Sequence, residues 1–73
     1  MKKYLVIEIQ TNTDGAVGNL VWAFDDKNIA KSKYYAVLSA AAVSNLPQHS
    51  CILIQNDGTL LERESFNRTN EEV

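Results

Sequence analysis

The sequence predicts an α+β fold: a two-layer β-β-α-β-β domain with one helix packed on a four-stranded antiparallel sheet. Three observations predict it. Apolar residues recur with period two up to Phe24, with helical spacing between Asp25 and Asn45, and with period two again after Pro47. Asp-Gly pairs at Asp14-Gly15 and Asp57-Gly58 place a turn inside each β region. Only the stretch DDKNIAKSKYYAVLSAAAVSN is long enough to form a helix, so the apolar faces of both hairpins must pack on it.

The first strand is KYLVIEIQT, Lys3 to Thr11. Leu5, Ile7 and Ile9 alternate with Tyr4, Val6, Glu8 and Gln10, and the odd set is the more apolar, so it is expected to meet the helix. Asn12 to Gly15 is a turn, with Gly15 supplying positive φ. The second strand is AVGNLVWAF, Ala16 to Phe24. Leu20, Trp22 and Phe24 share one of its faces, Asn19, Val21 and Ala23 the other, and Gly18 suggests a bulge. The short link makes these two strands an antiparallel hairpin.

In the helix, Ala30, Tyr34, Val37, Leu38 and Ala41 line one face, while Lys27, Lys31, Ser32, Tyr35 and Ser39 fall largely on the other. Asp25, Asp26 or Asn28 supplies the N-cap. Asn45 suits a left-handed C-terminal conformation, and Pro47 ends the helix. The third strand is His49 to Gln55. Asn56-Asp57-Gly58 turns the chain into the fourth, Thr59 to Phe66, whose charged residues suit an edge. The favoured strand order is 2-1-3-4, with the apolar first strand inside and the charged fourth strand outside; 2-1-4-3 is the alternative. Residues 1–66 form the domain, and 67–73 are expected as a frayed polar tail.

Seventy-three residues make one small domain, which buries only about 60% of its unfolded surface. The formal net charge of −2 does not favour nucleic-acid binding, which usually shows a basic patch. A lone cysteine, Cys51, makes no internal disulfide and suits a reducing compartment. Lys2 and Lys3 imitate the start of a signal peptide, but Glu8 and Gln10 interrupt the apolar run and no small-residue cleavage site follows. No run is long enough to span a membrane. A cytoplasmic protein is expected.

The segments KYLVIEIQTNTDGAVGNL and SKYYAVLSAAAVSNLP carry a resemblance. The chain resembles a set of small uncharacterised bacterial proteins associated with prophages and mobile elements, mainly in Gram-positive lineages. The resemblance covers most of the chain. It implies a genetic setting and no mechanism, and it brings no catalytic motif to transfer.

Candidate chemistry is sparse. His49 and Cys51 point the same way on a strand and could form a nucleophilic or metal-binding pair. Zinc needs about four ligands at recognisable spacing, so the plainer reading is a core thiol and a histidine at the strand's start. Asp14, Asp25, Asp26 and Asp57 could gather a cation, yet each sits where a turn or a cap employs it locally. Gly15 and Gly18 fit no phosphate-loop pattern. No metal and no cofactor is expected. Lys27, Lys31 and Lys33, with Tyr35 beside them, are candidate nucleic-acid contacts or simply a solvated helix face. The surface expected to bind is the sheet face left uncovered by the helix: Tyr4, Val6, Glu8, Val21 and Ala23. An alternative register would bring Trp22 and Phe24 outward instead. The expected function is a non-enzymatic interaction module, binding a protein partner or a second copy of itself. A nucleic-acid accessory protein is the second reading and a small Cys/His enzyme the third.

Overall fold

The computed structural model describes residues 2–68. Strands β1 (Tyr4–Thr11) and β2 (Val17–Phe24) precede helix α1 (Lys27–Ala42), and β3 (Gln48–Gln55) and β4 (Leu60–Asn67) follow it. The sheet is wholly antiparallel in the order β2-β1-β3-β4, as the sequence predicts. β2 and β3 therefore run parallel with β1 between them, and α1 is the crossover that connects them.

The two hairpins turn by the same device. Asn12 N–H donates to Ala16 O at 2.8 Å and Gly15 N–H to Asn12 O at 3.0 Å. In the second turn Gln55 N–H donates to Thr59 O at 2.9 Å and Gly58 N–H to Gln55 O at 2.8 Å. Each is a loop of three residues closed by a glycine in the left-handed region, Gly15 at φ 89° and Gly58 at φ 92°. Asp14 and Asp57 accept the N–H two residues on, from Ala16 at 2.9 Å and Thr59 at 3.0 Å.

These turns set which side chains meet the helix. Tyr4 pairs with Phe24, Val6 with Trp22 and Val6 also with Leu53. The helix-covered face thus holds Tyr4, Val6, Glu8, Trp22, Phe24, Cys51 and Leu53. Val6, Cys51 and Leu53 are fully buried there with Ala30, Tyr34 and Val37 of α1. Leu5, Ile7 and Ile9 lie on the opposite face. The expectation that they meet the helix is corrected, because hairpin register groups Val6 with the bulky Trp22 and Phe24 and the aromatic rings win the covered side.

Other departures are local. Gly18 pairs regularly with Gln10, so there is no bulge at β2. The irregularity lies in the β3–β4 ladder between Leu53 and Ile54, where Leu53 pairs with Glu62 but Ile54 with Leu60. The unpaired residue, Leu61, tucks against the core. Asp26 is the N-cap, its carboxylate accepting from Asn28 N–H at 2.7 Å and Ile29 N–H at 3.1 Å. The helix ends at Val43 with φ −112°, and among the described residues no non-glycine residue has positive φ, so Asn45 does not take the left-handed conformation. Leu38 is half-buried beside the core, while Tyr34, Val37 and the small Ala30 and Ala41 are its inner anchors. Asn67 closes β4, and Arg68 is held: its guanidinium donates to Ala41 O at 2.5 Å and Leu46 O at 3.3 Å. These bonds tie the end of β4 to the last turn of α1 and to the α1–β3 connection. The expected frayed tail therefore does not begin at 67, and its remainder, residues 69–73, lies outside the described residues.

Candidate functional site

Pleating sends alternate residues of every strand away from α1, and the strand pairing arranges them in rows across the open face. The first row reads Ala23, Leu5, Ile54, Leu60. The second reads Val21, Ile7, Ile52, Arg63. The third, Asn19, Ile9, Ser50, Ser65, and the fourth, Val17, Thr11, Gln48, Asn67, are mostly polar. One end of the face is a continuous aliphatic patch and the other end is its polar border. Val21 is 55% exposed and Leu60 52%, at opposite edges of the sheet. The aliphatic side chains between them are half-buried. Arg63 is the one charged side chain in these rows. A shallow depression lined by Gln48, Ser50, Ser65, Phe66 and Asn67 lies at the polar end.

Of the residues expected to form this surface, Val21 and Ala23 are on it. Tyr4, Val6 and Glu8 are not: they face the helix, with Val6 fully buried and Glu8 8% exposed. Trp22 and Phe24 are likewise on the helix side and half-buried, so the alternative register is not adopted. The residues that sequence reading misses are Leu5, Ile7, Ile9, Ile52, Ile54 and Leu60. Their alternation was legible, but their face depends on register, which no single strand discloses.

On the covered face the structure assembles a second group. His49 Nε2 lies 2.5 Å from Glu8 Oε2, and His49 Nδ1 lies 2.9 Å from Ser44 Oγ. Gln10 Nε2 donates to the same Glu8 oxygen at 3.0 Å. His49 is 4% exposed. The Ser-His-Glu order resembles a nucleophile, base and orienting acid, but the surroundings do not suit acyl transfer. Ser44 Oγ already accepts Leu46 N–H at 3.3 Å, and it follows the carbonyl end of α1. Oxyanion stabilisation requires converging N–H donors, which a helix C-terminus does not present. What the network does is satisfy a buried carboxylate and imidazole and tie β1, β3 and the α1–β3 connection together.

Cys51 is fully buried beside Glu8 in the β1–β3 register. Burial, and then the Glu8 carboxylate, push its thiol up to about 11, so it remains a protonated thiol at neutral pH. Tyr34 is pushed up to about 12, first by burial and then by Glu62. Asp57 is held below the usual carboxylate range, chiefly by the Thr59 backbone N–H, which is a turn function. Among the described residues no group of three or more His, Cys, Asp or Glu is arranged to hold a metal ion. No helix among them is long and apolar enough to cross a membrane.

The helix residues considered for nucleic acid are largely engaged within the chain. Lys31 Nζ lies 3.7 Å from Glu62, and Tyr35 Oη donates to the same carboxylate at 3.3 Å. Lys33 Nζ sits 4.2 Å over the Trp22 ring. Lys27 stands at the first position of the helix, next to the Asp25 and Asp26 carboxylates in sequence. Comparison with protein-family models, curated proteins and solved structures finds no match to the chain.

Proposed function

We propose that this is a small non-enzymatic interaction module of the cytoplasm, whose working surface is the open face of the sheet and whose ligand is protein. The observation that supports it most directly is the outward aliphatic patch of Leu5, Ile7, Ile52 and Ile54 with Val21 and Leu60 at its edges. A contiguous exposed aliphatic patch bordered by polar residues is a common mark of a protein interaction site. A nucleic-acid platform would need aromatic rings for stacking and several cations, whereas these rows hold no aromatic and a single Arg63. The resemblance to prophage-associated proteins supplies a setting in which a small non-catalytic binding protein is a reasonable occupant.

The test is site-specific photocrosslinking in cells with a benzophenone side chain replacing Ile52, and a control with it replacing the exposed Tyr35 in the helix layer. The expected result is a discrete protein adduct from position 52 that disappears when Ile7→Lys is added. Equal labelling from both positions, or adducts that survive Ile7→Lys, would overturn the reading.

A further inference from the structure

One particular rotation lays the aliphatic half of the open face on the aliphatic half of a second copy and the polar half on the polar half. A two-fold axis parallel to the strands, midway between β1 and β3, carries β1 over the partner's β3 and β2 over the partner's β4. Rows stay over their own counterparts. Leu5 then covers Ile54 of the second copy, and Ile7 covers Ile52. At the edges the small Ala23 lies over the large Leu60, so a short side chain meets a long one. From this we infer that the partner is a second copy of the same chain, stacked face to face with its strands aligned. The inference rests on the interface reading above and names its occupant.

Charge favours the same arrangement. Under this rotation the two Arg63 side chains lie at opposite edges of the stack, over the β2 edge of the other copy. The other two-fold in the plane, across the strands, places β4 on β4. It brings both Arg63 side chains to one edge and, with the axis across the middle of the sheet, lays aliphatic rows over polar ones. Aligned stacking is also a standard way for two twisted sheets to pack, at about −30° and with about 10 Å between them. The area suits a weak dimer. Four strands about 4.8 Å apart, with eight residues rising about 3.3 Å each, project about 500 Å² per copy, polar rows included. Two copies together cover about 1,000 Å², below the range of stable interfaces and in that of weak, transient ones. That size and symmetry describe a reversible, isologous dimer.

The experiment uses two single variants, Ala23→Cys and Leu60→Cys, each checked by circular dichroism for a native spectrum. Both positions are on the exposed face, and Cys51 is fully buried, so a short bis-maleimide does not reach the native thiol. Sedimentation velocity of the unmodified chain accompanies it. The expected result is a concentration-dependent species of twice the chain mass. Mixing the two variants should give crosslinked dimers several-fold more abundant than either variant gives alone. Preferential crosslinking of Ala23→Cys to itself would overturn the stacking direction. A chain that stays monomeric across the concentration range, while position 52 still captures a different protein, would overturn the inference and leave the interface reading standing. A monomer with no adduct from position 52 would overturn both.

Discussion

The two faces of this sheet are built from the same four strands and reverse the usual expectation. The covered face holds a carboxylate, an imidazole and a thiol among its buried groups, whereas the open face is aliphatic over half its length. Polarity of the side chain therefore does not decide the side. Glu8 is buried because His49 and Gln10 meet it, and β1 could turn its more aliphatic set outward only because the aromatic rings of β2 filled the space under the helix. The comparison teaches that each buried polar group must be judged with its partners, and each apolar run with the strand beside it.

The strongest way to break this comparison is at Glu8. Glu8→Ala strands His49 in the core with Ser44 as its remaining partner, and breaking a buried pair typically costs about 3–5 kcal/mol. In a domain of ordinary marginal stability, about 5–15 kcal/mol, that is a large fraction of what holds it folded. Glu8→Gln keeps an acceptor oxygen and should lose much less. Urea denaturation distinguishes them, and an unchanged midpoint for Glu8→Ala would show that the network is not structural.

Next in size is a matched pair of truncations on neighbouring residues of β3. Leu53 is fully buried under the helix, so Leu53→Ala should cost about 2–5 kcal/mol through the cavity it leaves. Ile52 points the other way, and Ile52→Ala should cost about 1 kcal/mol or less in dilute solution. The pair also sharpens the interface reading. Association stabilises the folded chain by mass action, so the Ile52→Ala penalty should grow with protein concentration while that of Leu53→Ala should not. A larger penalty for Ile52→Ala than for Leu53→Ala at low concentration would mean that the two faces are reversed.

Much of the fold was legible in the sequence, and the error in the faces has one physical source. Each strand showed its alternation, the Asp-Gly pairs marked both turns, and the helix face from Ala30 to Ala41 was readable from spacing. The loop length was not. A two-residue loop at Asp14-Gly15 would pair Thr13 with Ala16 and bring Leu5, Ile7 and Ile9 opposite Phe24, Trp22 and Leu20. The observed loop pairs Asn12 with Ala16, one residue displaced, and a one-residue slip exchanges the faces of a strand. The same reason hid the Glu8–His49 contact, whose members lie 41 residues apart and meet only through the β1–β3 register. Composition marked neither.

A titration probes the covered face alone. Cys51 is raised from 9.0 to about 11 in the folded chain and Tyr34 from 10.0 to about 12. In both cases the unfolded chain loses its proton first as pH rises. Stability is therefore fully present below about pH 9 and falls progressively through pH 12. Thermal denaturation between pH 7 and 12 should show this decline. Cys51→Ala should remove the part that begins near pH 9, whereas removing a thiol could not alter the profile if Cys51 were exposed.

The smallest expected effect concerns the glycines, and it tests whether register or composition governs the first hairpin. Gly15 has φ 89°, a conformation that L side chains rarely adopt, and it closes the loop that fixes the register. Gly15→Ala should therefore destabilise the fold, and any loosening of the loop weakens the distinction between the two faces. Gly18 differs in every respect that matters. Its φ is not positive, it pairs in step with Gln10, and a Cβ built on it meets nothing within 4 Å. Alanine there reduces the freedom of the unfolded chain without straining the folded one, which typically stabilises by about 0.4–1 kcal/mol. Gly18→Ala should accordingly raise the denaturation midpoint slightly while Gly15→Ala lowers it. A loss of stability at Gly18 comparable with that at Gly15 would mean that the second strand is bulged there, and the rows drawn across the open face would have to be redrawn.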